Sequence, residues 1–185
     1  RQADLAQRAG TSAEEIKRSL EQIGRSSIRA THSVNQLLAL ARAESSSAQM
    51  ALVPCDLAQI TVDVVHDAIS RALDKGIDLG YDGALPGAPG VNMLGNPTLL
   101  HELVRNLVDN AINYTPSTSE RPGVVTARVL ADTFGHVLLL QVEDSGPGVP
   151  ESERELIFQP FYRVLGNEAD GSGLGLPIVQ EIARQ

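Results

Sequence analysis

The sequence predicts an α+β protein in two parts: a helical hairpin that makes half of a dimeric four-helix bundle, and then an α/β two-layer sandwich. Three observations predict it. From Ser12 to Ala43 no proline interrupts the chain. Over that stretch Ile16, Ile23, Ala30 and Leu37 recur every seven residues beside Leu20, Ser27, Val34 and Ala41, the pattern of a coiled-coil seam. Beyond Gln49 helical and strand patterns interleave, and two adjacent strand patterns form a hairpin, which separates α+β from strictly alternating α/β.

In chain order, Gly10 closes a first short helix, and Thr11 or Ser12 with Glu14 and Glu15 caps the long arm that follows. One hairpin cannot cover its own apolar stripe, so a second copy completing a four-helix bundle is the expected solution, with packing against the chain's own C-terminal part as the alternative. The opening "RQADLAQRAG" reads as a helix already under way, so the chain is expected to begin inside a longer protein. The first part is assigned to residues 1–44 and a patternless linker to 45–50, leaving 51–185 for the second part. There a helix opens at an Asp56 cap and ends at Gly76. "IDLGYD" is a strand, "GALPGAPG" a loop, and "VNML" a short strand. Pro97 to Tyr114 is a strongly patterned helix stopped by Thr115 and Pro116. "VVTARVLA" and "HVLLLQVE" are strands joined by a turn at Asp132 to Gly135, and a last helix begins near Leu174.

Composition excludes several function classes. A net charge of −8, with lysine only at Lys17 and Lys75, argues against nucleic acid as partner, because phosphate backbones are held by clustered cations. A single cysteine, Cys55, excludes an internal disulfide. The longest apolar runs, such as "VLLL", fall far short of the ~20 residues of a membrane span, so no membrane contact is expected of this chain.

The helix from Pro97 to Tyr114 carries a chemical signal. At about 100° per residue, Leu100, Leu103, Val104, Leu107 and Ala111 share an apolar face, whereas Asn106, Asn110 and Asn113 share another. Asparagine is a poor helix-interior residue because its amide competes with the backbone. An amide oxygen can ligate a hard cation such as Mg²⁺, and amide hydrogens can donate to phosphate oxygens. A plain solvated face is the competing reading.

Three later stretches bear on that choice. In "VEDSGPGV", Asp144 ends a strand, and Gly146 and Gly148 let a flat ligand approach the backbone; the same residues are also ordinary turn chemistry. "FQPFYR" concentrates aromatics in a chain with three Phe, three Tyr and no Trp, and these are equally suited to a loop core. In "DGSGLGLPIVQ", Gly171, Gly173 and Gly175 precede a helix. A P-loop would follow its last glycine with Lys and Ser or Thr, but here Leu176 and Pro177 follow. A dinucleotide fingerprint needs G-x-G-x-x-G directly after a strand, and protein-kinase signatures are absent. Backbone N–H groups and a helix N-terminus can hold an anion without lysine.

In this order, "NLVDNAINYTP", "DSGPG", "FQPFYR" and "GSGLGL" resemble the N, G1, F and G2 boxes of the ATP-binding domain of bacterial sensor histidine kinases, within the gyrase/Hsp90/histidine-kinase/MutL superfamily. "IRATHSVNQLLALARAE" resembles the second helix of that family's dimerisation and phosphotransfer domain, on the side of the QseC/TctE-like membrane sensors. The resemblance covers nearly the whole chain. It implies ATP between the asparagine helix and a lid from about Gln159 to Gly173, and transfer of the γ-phosphoryl group to a histidine and then to a response regulator. Asp144 would read the adenine amine, Gly146 and Gly148 would admit the ring, and Tyr114 would pack near the base. Asn110 would hold Mg²⁺, with Asn106 assisting at metal or phosphates. Arg163 would neutralise phosphate charge, and Gly171, Gly173, Gly175 and Leu176 would form the lid hinge and phosphate cradle.

The same resemblance implies a homodimer through the hairpin, a receiver-domain partner, and a cytoplasmic domain of an inner-membrane-anchored sensor. None of His32, His66, His101 or His136 sits in an H-E-x-R-T-P-like context, so the acceptor is expected about three helical turns before Arg1. Further strands are expected after "IARQ". Asn113 stands where the family commonly has Lys or Arg, and Glu168 and Asp170 put negative charge in the lid. Two other functions fit parts of the pattern. An ATP-hydrolysing clamp would place a glutamate at position 106, where this chain has asparagine; a non-catalytic nucleotide-binding dimer scaffold would keep the boxes without the transfer.

Overall fold

The computed structural model describes residues 52–132, 137–164 and 172–185. All lie in one of the two units into which the chain divides, Gln36–Gln185. The expected hairpin, linker and Asp132–Gly135 turn fall wholly or mostly outside these residues, as do Gly171, Glu168 and Asp170 of the expected lid. Among the described residues ten elements follow one another: β1 (Val53–Asp56), α1 (Leu57–Asp74), β2 (Ile77–Tyr81), β3 (Asn92–Gly95), α2 (Pro97–Tyr114), β4 (Gly123–Ala131), β5 (Leu138–Asp144), two 3₁₀ turns (Glu151–Glu153 and Leu156–Phe158) and α3 (Gly175–Arg184).

The main sheet has the order β2-β4-β5, with β4 parallel to β2 and antiparallel to β5. Strand periodicity decides its two faces. Along β4, Gly123, Val125, Ala127 and Val129 are buried and alternate with the more exposed Val124, Thr126, Arg128 and Leu130. Val125 and Val129 of this row join Ile77 of β2, Val64 and Ala68 of α1, Val104 and Val108 of α2, Leu174 just ahead of α3 and Ile178 within it in one apolar core. Helix α2 packs against both α1 and α3, which makes it the central rod of the helical layer. On the sheet's other face Arg128 bridges Glu143 at 2.7 Å and Asp82 at 3.3 Å, and the hydrogen bonds to Glu143 and then Asp82 hold its guanidinium protonated beyond the ordinary value.

Both long helices end where their residues dictate. The Asp56 side chain accepts from the Gln59 N–H at 2.9 Å, and Gly76 (φ +67°) ends α1 in the left-handed region that glycine adopts without strain. Asn96 caps α2 by accepting from the Thr98 and Leu99 N–H groups at 3.0 and 3.2 Å, and Pro97 occupies the first turn. At the other end Thr115 is extended ahead of Pro116. Replacing Asn96 by alanine should cost about 1 kcal/mol, read as a lower midpoint in urea with an unchanged slope.

Strand β1 is an element that sequence patterning passes over. It pairs antiparallel with β3, setting Cys55 opposite Met93 and Pro54 opposite Leu94. The resulting two-stranded sheet stands apart from the main one. A four-residue strand containing proline and ending in a helix cap has too short a pattern to register, and its proline is tolerated because β1 is an edge.

Candidate nucleotide site

Helix α2 turns Asn106 and Asn110 of its asparagine stripe toward the start of α3. Asn106 is buried, and Asn110 and Asn113 are half-buried. Leu174 and Ile178 anchor α3 in the core and bring Gly175 onto this stripe. A Cβ at Gly175 would lie 3.2 Å from Asn110 Nδ2 and 3.3 Å from both Asn106 Oδ1 and Asn110 Oδ1. Hydrogen in place of a methyl group is therefore what lets the α3 N-terminus close on the two amides. Leu176 is half-buried in the first turn beyond. Ahead of it the Leu174 N–H donates to Ser172 Oγ at 3.2 Å.

A second group forms at the end of β5. Leu138, Leu140 and Val142 are the half-buried, core-facing row of this strand, and Asp144 continues the same row opposite Val125 of β4. The pleat thus delivers the carboxylate on the helical side of the sheet, at its exposed rim. Asp144 Oδ1 accepts from the Gly146 N–H at 2.8 Å, an Asx turn that holds the loop against the end of α2. A Cβ at Gly146 would sit 2.6 Å from Asp144 Oδ1 and 3.0 Å from the Tyr114 carbonyl oxygen. Asp144, Gly146 and Tyr114 are thereby brought together, although thirty positions separate the first from the last. Gly148 follows with φ +74°.

The aromatic stretch closes back on the glycine loop. The Phe161 N–H donates to the Gly173 carbonyl at 2.9 Å, with Phe161 at φ +66° and Gly173 at φ +73°. A Cβ at Gly173 would fall 2.8 Å from the Phe161 backbone. Tyr162 donates its hydroxyl to Glu153 Oε2 at 3.2 Å, tying this stretch to the first 3₁₀ turn; burial first, then the Glu153 charge, raises its phenol above the usual value. Arg163 is exposed, at the edge of the described residues.

Two further charged groups border the stripe, neither given a role by sequence reasoning. Lys75, at the end of α1, donates to Asn113 Oδ1 at 2.7 Å and sets a cation beside that asparagine. Glu102, one turn before Asn106, accepts from the Asn106 amide at 3.2 Å. The i,i+4 spacing of Glu102 and Asn106 was the available signal for the second; nothing local signals the first. Among the described residues no three His, Cys, Asp or Glu side chains cluster as a metal site. Also among them, no helix is long and apolar enough to cross a membrane.

Comparison with known proteins identifies the family. Residues 95–185 match the family described as histidine kinase-, DNA gyrase B- and HSP90-like ATPase. Over 187 aligned residues the chain is 38% identical to the sensor protein QseC of Escherichia coli, covering 99% of this chain and 38% of that protein. It is 36% identical to the sensor protein kinase PmrB of Pseudomonas aeruginosa, covering 89% of this chain and 32% of that one. The chain thus spans well under half the length of these relatives. Among solved structures, the cytoplasmic segment of histidine kinase QseC superposes with a TM-score of 0.52 at 29% identity, over 84% of this chain and 78% of that one. Full-length ShkA in complex with AMPPNP gives 0.67 at 29% identity, over 94% and 34%. The chain belongs to the bacterial sensor histidine kinases, with the histidine kinase-, DNA gyrase B- and HSP90-like ATPase domain over residues 95–185.

Proposed function

We propose that this chain is the ATP-handling core of a two-component sensor, passing the γ-phosphoryl group of ATP to a histidine and from there to a response-regulator aspartate. The observation that carries the proposal is the meeting of Asn106, Asn110 and Gly175, which sets two amides against the N-terminus of α3. Amide oxygens are hard donors suited to Mg²⁺, a cation that keeps several waters and shares its shell with substrate phosphates, so the residues present fit such an ion. Bound there by Asn110 and Asn106, magnesium supplies neutralisation of charge on the phosphate oxygens.

The chain's own residues do the rest by position and electrostatics. Asp144 accepts from the exocyclic amine of adenine, while Gly146 and Gly148 leave room for the ring beside Tyr114. The N–H groups around Gly173 and Gly175 point positive partial charge at the phosphates, with Leu176 in the turn beyond and Arg163 adding a cation. At position 106 an asparagine cannot take a proton from water, which favours transfer over hydrolysis and sets this reading above an ATP-hydrolysing clamp. A homodimer through the N-terminal hairpin, a receiver-domain partner and a cytoplasmic position beneath a membrane anchor complete the proposal on the strength of the QseC-like relatives.

Isothermal titration with Mg²⁺ and a non-hydrolysable ATP analogue tests the site. Asn110→Ala and Asp144→Ala should each weaken binding by roughly two orders of magnitude or more, about 3 kcal/mol. Unchanged affinity in both variants would sink the assignment.

A further inference from the structure

The orientation of the Asn106 amide is fixed from behind. Its nitrogen donates to the Glu102 carbonyl at 2.8 Å and to Glu102 Oε1 at 3.2 Å. The nitrogen branch of the amide is thus directed toward Glu102, and the oxygen on the other branch faces the other way. That is where it is found, 3.3 Å from the Cβ position of Gly175. The Glu102 side chain is only 19% exposed, so water cannot freely replace its carboxylate, and Arg105 at 3.6 Å braces that same oxygen from the adjoining turn. Burial keeps the alternative amide rotation costly: turned over, Asn106 would aim its oxygen at two acceptors and leave a donor beside Gly175.

We propose that Glu102 is a positioning residue that makes Asn106 present an acceptor, and not a donor, to the crevice between α2 and α3. The inference rests on the ATP reading and sharpens it. With its nitrogen turned to Glu102, Asn106 faces the crevice with an oxygen, which is unsuited to phosphate oxygens and suited to a cation or to a water or hydroxyl that donates. Its share of ligand binding is therefore the metal-dependent share. Glutamate suits the task because its carboxylate only accepts; a glutamine can still offer its carbonyl oxygen to Asn106, whereas a leucine offers nothing.

The test compares affinity for a non-hydrolysable ATP analogue in excess Mg²⁺ and in EDTA, on the whole chain. The wild type should bind more tightly with Mg²⁺. In Glu102→Leu the gain from Mg²⁺ should shrink roughly three- to tenfold, while metal-free affinity stays within about twofold of wild type. Glu102→Gln should recover at least half of the loss. A merely structural glutamate would weaken both conditions alike in Glu102→Leu, and that result, or an unchanged Mg²⁺ gain, overturns the proposal. Should the leucine variant fail to fold, the side-chain amide signals of Asn106 in the wild type decide the matter: both protons should exchange with solvent markedly more slowly than those of an exposed asparagine, and a fast-exchanging pair overturns it. If the wild type binds no nucleotide in either buffer, the ATP reading falls and this proposal with it; if the wild type binds and the variants behave as it does, this one falls alone.

Discussion

Gly146→Ala should lower affinity for ATP by roughly thirtyfold or more, about 2 kcal/mol, with little change in thermal stability. The reason is local and steric. The added methyl carbon would occupy a point 2.6 Å from Asp144 Oδ1, inside any tolerated contact, and 3.0 Å from the Tyr114 carbonyl. One of these must move. The Asp144 carboxylate is on an exposed rim and the Tyr114 carbonyl is part of a helix end, so the carboxylate is the group that yields. Its displacement breaks the 2.8 Å bond to the Gly146 N–H and turns it away from the position proposed for the adenine amine. Stability is spared because the loop contributes no residue to the apolar core. Titration of the variant with ATP and with GTP gives the sharpest reading: loss of preference for adenine over guanine should accompany loss of affinity, whereas equal binding by variant and wild type would remove Asp144 from the site.

Ile178→Ala should produce the opposite signature, a large loss of stability that nucleotide partly restores. Ile178 is fully buried, and with Leu174 it is what fastens α3 to the core beneath α2. Removing three carbons from a fully enclosed side chain typically costs about 2–5 kcal/mol, depending on how far the neighbours collapse. In a domain of modest size that is a large part of the total. Because α3 begins at Gly175, loosening it also opens the crevice beside Asn106 and Asn110. A ligand that binds only the closed arrangement then restores stability by mass action, roughly 2.7 kcal/mol at a hundredfold excess over Kd. Urea denaturation with and without Mg²⁺ and the ATP analogue checks both halves. A midpoint within experimental error of wild type would show that α3 is not anchored through Ile178.

What was readable in the sequence was what local chemistry decides. Helix α2 has its boundaries written beside it, in the Asn96 cap, Pro97 and the Thr115–Pro116 stop, and its observed range is the expected one. Gly76 ends α1 for an equally local reason, a left-handed backbone. The strand patterns "IDLGYD", "VNML", "VVTARVLA" and "HVLLLQVE" all fall on observed strands, because alternation against one core leaves a period-two trace. Strand β1 left none, since four residues are held in place by a partner some forty positions away. The site divides along the same line. That Asn106 and Asn110 share a stripe follows from helix geometry, but that Gly175 closes on them depends on how α3 seats in the core. Lys75 reaches Asn113 only because α1 and α2 pack together, and no motif announces it.

The placement of Asp144 has an evolutionary consequence. It lies on the same pleated row as Leu138, Leu140 and Val142, one step beyond the last of them. Slipping the pairing of β5 with β4 by one residue would turn the whole row to the far side of the sheet. The carboxylate would leave the site by the same event that drives three apolar side chains into water. A lineage therefore cannot drift in strand register and silently lose the carboxylate proposed to read the base; any such slip is first removed as a folding defect. Point substitution at Asp144 itself remains open, since that residue is exposed and adds nothing to the core. On the role proposed for Asp144, loss of nucleotide recognition in descendants of this domain should therefore be recorded as single replacements at this position, on strands whose register has not changed.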